Sequence, residues 1–427
     1  MSIKRKINSN KLFTKDLLKF LLFIFFLFTF IYTLYSLFSY ASENDQIVSF
    51  IGIKKIKYNF GDLRQLTYSS SCVASFSQLM NNYINCDPLG RPFNYTRFSL
   101  WLFRLLKIGQ NQTHQVGLIM GLITIFTSIG FTLVTLKNKR NILIILSIFF
   151  LSYPLQLCLE RGNYDQLIFV GSLLLPLLYQ RAILNRQREI NLILAAIISF
   201  GITALKLFPL LGILPWTFFS FLKLKNKKLF YIPLIIFVFS LIGFIFQIGD
   251  ISLIAANTPN PNGKFSFGFG TGDKIISENF SFIILIFKIF IILISIKIFE
   301  YLKINFNKKF YFQNYENNLA KEAAIFFSFM ILFAYFLNNS FDYRLIFVFG
   351  ILPYFINQNQ LKKFSFKVIL LSLIYISFEQ YLFPFFYIGN IFRLFSDLVL
   401  QPFLIGFIIC FLIKNQLGKS FNKFYLS

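Results

Sequence analysis

The sequence predicts an all-α integral membrane protein, a polytopic bundle of about 10–13 transmembrane helices with a long first outer loop. Three observations predict it. Of 427 residues 56% are hydrophobic and only 14% are charged, with a mean hydropathy of +0.65. Apolar runs near membrane-spanning length recur from one end of the chain to the other. The basic residues cluster in every second connection between those runs, as they do on the cytoplasmic side of multi-pass proteins.

The runs fall at 17–40, 114–136, 141–158, 167–180, 190–204, 207–222, 229–249, 281–302, 323–337, 345–356, 367–386 and 391–413. A hydrocarbon core of ~30 Å takes about 20 helical residues to cross, so the shorter runs are expected to be broken or re-entrant helices. The first run is about one full span long and lacks a small-residue cleavage site, which reads as a retained helix and not a removed signal peptide. Around ITALKLFPLLG (202–212) two short spans meet. Lys206 and Pro209 then mark an outward turn, or else the middle of one long kinked helix.

The sides follow from charge. The N-terminus, MSIKRKINSNKLFTK, is basic. So are KNKR (137–140), QRAILNRQR (180–188), KLKNKK (223–228), KINFNKK (303–309), LKKFSFK (361–367) and the tail at 414–427. The intervening connections are poorer in Lys and Arg, apart from the long first one. The chain thus reads as one domain, 1–427, in the plasma (inner) membrane, with both termini cytoplasmic. Its outer segments are 41–113 and 250–280. The net charge of +25 is topological, and nucleic acid is not an expected partner. The 62 Phe fit the codon bias of an AT-rich genome and need no functional account.

On this topology the unusual polar residues gather on the outer side. The run LCLERGNYDQLIFVG (157–171) places Glu160, Arg161, Asn163, Asp165 and Gln166 between apolar stretches. NNSFDYR (338–344) does the same with Asn339, Asp342 and Arg344, and Lys206 adds a cation. Charge at membrane depth is costly and usually marks a site or a wet cavity. The plainer reading is local pairing of Arg161 and Arg344 with Glu160, Asp165 or Asp342. Acids with Arg and Lys near the outer leaflet suit a lipid phosphate, which Arg grips bidentately and Lys meets as a point charge. A carboxylate beside them can act as general base on a hydroxyl. The outer side lacks nucleotide sugars, so an activated donor there is lipid-linked.

Three stretches resemble GT-C-type integral-membrane glycosyltransferases, in particular glycosyltransferase family 87, the polyprenyl-phosphate-mannose-dependent group, and its bacterial relatives. They are FGDLRQLTYSSSCV with NCDPLGRPFNYTRFSLWL, ERGNYDQLIFVGSLLLPLL with ALKLFPLLGILPW, and NNSFDYRLIFVFGILPYF. The resemblance implies a GT-C-like fold and transfer of a mannose-like hexose from a polyprenyl-phosphate donor to a glycan or glycolipid acceptor. The active site would face outward, bathed by membrane lipids, and no cofactor is implied. Asp62 stands where such families carry the catalytic base. Arg161, Lys206 and Arg344 would face the donor phosphate, and Asn163 and Asp165 would orient sugar or lipid groups. Arg64, Arg91, Tyr95, Glu160, Asn339 and Asp342 complete the substrate-binding set that the matching stretches imply. The alternative for Asp62 is an acid capping a short helix. Glu43 and Asp45, at the outer end of the first span, are rival acids.

Other features are weaker. Cys72 and Cys86 share an outer segment where a disulfide is permitted, although Cys86 suits a small buried position equally. There is no CxxC, only one histidine (His114), and no outward DxD, so a clustered metal site is not expected. Residues 98–108, SLWLFRLLKIG with the preceding Phe98, fit an interfacial helix. GFGTG (268–272), GKS (418–420) and the sequon NYT (94–96) lack the context that would give them meaning. Two other functions share these features: a flippase for lipid-linked oligosaccharides, expected to show internal repeats and a polar path through the bilayer, and an O-antigen polymerase or ligase using a diphosphate-linked glycan.

Overall fold

The computed structural model describes residues 2–42, 59–72, 74–224, 226–258, 266–267, 281–301, 315–336, 340–357 and 394–413. They form an all-α multi-pass membrane protein. Among them six helices are long and apolar enough to cross a bilayer, or seven if one bent pair is a single span. The sequence-predicted run 367–386 lies outside the described residues.

The first helix, α1 (Ser2–Ala41), shows its apolar face outward: Phe20, Leu21, Phe28 and Ile31 are each more than half exposed. In a bilayer that face meets lipid, which is as apolar as the side chains. Three short helices then build the segment between the first helix and the bundle: α2 (Gly61–Ser71), α3 (Phe76–Met80) and α4 (Arg97–Leu105). Local caps start two of them. Ser75 and Gln78 close a capping box on α3, and the Thr96 hydroxyl accepts from the Ser99 N–H at 3.1 Å. Cys72 and Cys86 are joined in a disulfide, and the Arg104 guanidinium donates to the Cys72 and Ala74 carbonyls beside it.

The bundle follows: α5 (Thr113–Thr135), α6 (Lys139–Leu151), α7 (Tyr153–Arg161), α8 (Asp165–Ile183), α9 (Arg188–Leu205), α10 (Phe208–Lys223) and α11 (Tyr231–Ile248). Helices α6 and α7 bend by 50° at Ser152, just before Pro154. Short α12 (Ile251–Asn257) docks on the α2–α4 segment, where the Asn257 amide donates to the Met80 and Phe93 carbonyls. Asp250 accepts from the Arg97 backbone and guanidinium. Beyond these lie α13 (Ser281–Tyr301), α14 (Tyr315–Phe336), α15 (Leu352–Asn357) and α16 (Gln401–Leu412), the last preceded by a π-helical turn, Ser396–Leu400. Lys288 in α13 and Asp397 in the π turn are fully buried. A two-residue antiparallel pair joins β1 (Ser266–Phe267) to β2 (Ser340–Phe341), which leads into the 3-10 helix Asp342–Gly350. The run expected at 345–356 is that 3-10 helix followed by α15, shorter than a full crossing.

Helices α9 and α10 are separate, broken at Lys206 and Leu207, so this stretch is not one continuous helix. The cause is Pro209, which has no N–H and would clash with the Leu205 carbonyl in a continuous helix. The carbonyls freed at the end of α9 are taken up by side chains. Thr203 O accepts from Gln247 of α11, Ala204 O from the Thr96 hydroxyl at 3.1 Å, and Leu205 O from the Tyr164 hydroxyl at 2.9 Å. Three distant elements thereby fix the backbone that carries Lys206.

The turn from α7 to α8 is fixed as tightly. Gly162 ends α7 in the left-handed region (φ 58°), as C′ glycines do. A Cβ there would come within 2.9 Å of the Phe60 ring and 3.1 Å of Leu63. Phe60 is fully buried, and its N–H donates to the Glu160 carbonyl at 2.8 Å, locking α2 onto the turn. Gly162→Ala therefore combines a left-handed strain of about 1–2 kcal/mol with an overpacked contact. The expected outcome is a clearly lower melting temperature in detergent. Gly201→Ala, at a helical site with open space, should leave it unchanged.

Candidate functional site

Asp62 lies in the first turn of α2, but its side chain does not cap the helix. One carboxylate oxygen accepts from Arg91 at 2.9 Å, the other from the Asn163 amide at 2.8 Å. Each oxygen keeps a second acceptor position, and the side chain is 14% exposed. The Tyr95 hydroxyl donates to the Asp62 backbone carbonyl at 3.0 Å. Arg91 is held in turn by Asp87 at 2.7 Å and by the Gly61 carbonyl at 2.5 Å. Burial works against its charge, but Asp62 and Asp87 outweigh burial and hold its pKa above the ordinary guanidinium value.

Asn163 bridges to the second half of the site. Its Oδ1 accepts from the Asp165 N–H at 2.9 Å while its amide holds Asp62. Asp165 is fully buried at the start of α8. Lys206 reaches one of its oxygens at 2.5 Å and Arg344 approaches the other at 3.9 Å. The Lys206 ammonium also lies 4.6 Å above the Tyr164 ring, and the Arg344 guanidinium 5.2 Å from the Phe208 ring centre, both cation–π distances. Both cations keep an accessible edge, 17% and 22% of the side chain. Asp62 is near enough to Lys206 for its charge to act there.

The site is therefore polarised. Among the described residues, Asp165 has two cations beside it, one positive charge in excess. Among the same residues, Asp62 and Asp87 share one guanidinium, one negative charge in excess. In a low-dielectric setting such a pair of halves sorts ligand groups by charge. The cationic half fits a phosphate and the acidic half fits a hydroxyl that must lose a proton.

Asp62, Arg91, Tyr95, Asn163, Asp165, Lys206 and Arg344 thus come together, from sequence positions up to 282 residues apart (344 − 62). Arg161 pairs with the fully buried Glu160 at 3.1 Å, the local pairing that was the plainer expectation for it. Arg64 is spent elsewhere: it donates to the Asn59 carbonyl at 2.9 Å and sits 3.1 Å from His114 Nε2. Arginine keeps its protons, so that imidazole nitrogen is the acceptor. Asn339, the rival acids Glu43 and Asp45, and the side chain of Asp342 lie outside the described residues. Among the described residues no group of three or more His, Cys, Asp or Glu side chains is placed to hold a metal ion.

Sequence reading missed Asp87, Tyr164, Phe208 and Phe60. Asp87 had a usable signal, being four residues before Arg91 in CDPLGR. Tyr164 sat inside the quoted polar run. Phe208 and Phe60 had none, because an aromatic under a cation or a glycine looks like any other of 62 phenylalanines. Beside Arg91 a shallow cavity opens, lined by α2 and the disulfide-closed loop. It lies next to the acidic half, not the cationic one.

No family model matches the chain, and neither a curated protein nor a solved structure matches it.

Asp165 is a buried carboxylate whose closest cation is Lys206. Removing one partner of such a pair costs on the order of 3 kcal/mol, because the other charge is left stranded. Lys206→Met should lower the melting temperature sharply. Lys206→Met with Asp165→Asn should recover much of the loss, since the fully buried carboxylate is gone and the charge that loses its partner, Arg344, keeps an accessible edge. Equal damage in the single and double variants would mean that the pair is not coupled.

Proposed function

We propose that this multi-pass membrane protein is a GT-C-type glycosyltransferase of the plasma membrane, with its site facing outward. It transfers a mannose-like hexose from a polyprenyl-phosphate donor to a glycan or glycolipid acceptor. The observation that carries this reading is the convergence of Asp62, Asn163, Asp165, Lys206 and Arg344 into one cluster with an acidic and a cationic half. The resemblance of the same three stretches to family 87 supports it. So does the alternation of basic connections, which puts this end of the bundle opposite the Lys- and Arg-rich ends of α8, α9 and α10.

The chemistry follows from the charges. The donor phosphate is a singly charged diester and leaves as a monoester with a second negative charge. Lys206 and Arg344 gain attraction as that charge develops, which is the differential binding catalysis requires. The acceptor hydroxyl gives its proton to Asp62 as its oxygen bonds to the anomeric carbon. The carbon–oxygen bond to phosphate breaks, and its electron pair leaves with the polyprenyl phosphate. Arg91 and Asn163 keep the Asp62 carboxylate pointed at the reacting hydroxyl. The reaction needs membrane lipids, the lipid-linked donor and the acceptor. Cofactor and nucleic acid have no part in it.

The test is transfer of labelled hexose from a synthetic polyprenyl-phosphate-hexose by protein in nanodiscs. Asp62→Asn keeps the side chain's shape but cannot take a proton, and it turns one of the two acceptor oxygens into a donor facing Arg91 or Asn163. Its transfer rate should fall by about 10²–10⁴-fold, the usual worth of general-base catalysis, and the melting temperature, measured in parallel, separates that loss from any loss of folded protein. Arg344→Gln should lower kcat more than it raises the donor KM, because the attraction it removes grows in the transition state. Full activity of Asp62→Asn would remove Asp62 from the mechanism.

A further inference from the structure

We infer that the cavity between α2 and the disulfide-closed loop is a glycan subsite, the place where the acceptor sugar binds before transfer. This rests on the sugar-transfer reading above and names the side from which the acceptor arrives. The cavity is lined by polar groups of the kind that bind sugar hydroxyls. On α2 they are Gln65 and Ser69; on the loop they are Asn82, Asn85 and Asp87, with Arg91 at the inner end. Its total space, counting the part open to solvent, is about 200 Å³. The closed part is small, so a sugar would sit in the mouth with its hydroxyls turned inward.

The helix supplies the link to catalysis. Asp62, Gln65 and Ser69 fall at i, i+3 and i+7, which is one face of α2. The base and the cavity wall are therefore successive turns of one helix. Arg91 joins them physically, lining the cavity while its guanidinium holds Asp62 at 2.9 Å. Asp62 is not itself in the cavity wall, so a sugar seated there lies one helical turn from the acid, with the Arg91 guanidinium between them, beside the acidic half of the site and not beside Lys206 and Arg344.

The rim has the other element of sugar recognition. Tyr83 is 76% exposed between the cavity residues Asn82 and Ile84. Amphipathic aromatics present a flat apolar face with a polar tip, which suits the C–H face of a sugar ring. Asn82 holds a left-handed backbone (φ 59°), and asparagine is one of the few residues that tolerate it. The loop is closed by the Cys72–Cys86 disulfide, and Cys86 is itself part of the cavity wall. The amide-bearing rim is thereby held against α2.

The probe is mannotriose, added to the full-length protein in nanodiscs and read by saturation-transfer NMR. Hydrolysis of polyprenyl-phosphate-hexose without acceptor is followed in parallel. Wild type should show mannotriose signals, and Tyr83→Ala and Asn85→Ala should each weaken binding by about 5–10-fold, the worth of one lost polar or stacking contact. Both residues are exposed, so their variants should fold, and donor hydrolysis should be unchanged in them. No mannotriose signal in wild type, or an undiminished one in both variants, overturns the inference whatever the donor assay shows. Weakened sugar binding together with absent donor hydrolysis in wild type supports the subsite while removing the transferase reading. A rise in the donor KM without loss of mannotriose binding would assign the cavity to the donor and overturn the inference.

Discussion

The Asp62 carboxylate, shared between the Arg91 guanidinium on one oxygen and the Asn163 amide on the other, is the interaction on which the rest of the site depends. It joins α2, the disulfide-closed loop and the turn between α7 and α8. Through Asn163 it reaches Asp165, and through Asp165 the two cations brought by the α9–α10 break and the 3-10 helix. A hydrogen bond to a charged group contributes more than a neutral one, and here two such bonds act on a partly buried acid. Phe60 supports the arrangement from below: its ring fills the space over Gly162, and its N–H donates to the Glu160 carbonyl. The acid is thus placed by backbone and packing before any ligand enters.

The second constraint is electrostatic. A carboxylate as buried as Asp165 is expensive unless it is paired, and the fold gives it a lysine and an arginine. Among the described residues that leaves one positive charge in excess on that side and one negative charge in excess around Asp62. The proposed substrate, which carries a phosphate and reacts with a hydroxyl, matches such a charge-separated site. Lys206 and Arg344 also pack against aromatic rings, and each keeps part of its side chain accessible.

Much of this was legible in the chain. Hydropathy marked the helices, because a bilayer demands long apolar runs and tolerates few polar interruptions. The same logic made ERGNYDQ, Lys206 and the Arg344 segment conspicuous, since polar groups so placed need a reason. Lys206 and Pro209 marked either a turn or a kink in one long helix, and the helix is broken there, after Leu205. What the chain did not show is who pairs with whom. Arg91 and Arg64 look alike in sequence, yet one holds Asp62 and the other packs against His114. The difference is two residues of helical phase on α2, from Asp62 to Arg64, and the path of a closed loop, neither of which has a local signature. Phe60 was equally hidden, because its importance comes from Gly162 and the Glu160 carbonyl at the end of α7.

The account stands or falls on where a phosphorylated isoprenoid binds. A structure of the protein in nanodiscs with a non-hydrolysable polyprenyl-phosphate-sugar analogue addresses this directly. The phosphate is expected within hydrogen-bonding reach of Lys206 and Arg344, with the anomeric carbon on the Asp62 side and the isoprenoid running into the bilayer between helices. A phosphate bound at the opposite end of the bundle, among the basic connections that follow α8 and α10, would contradict it.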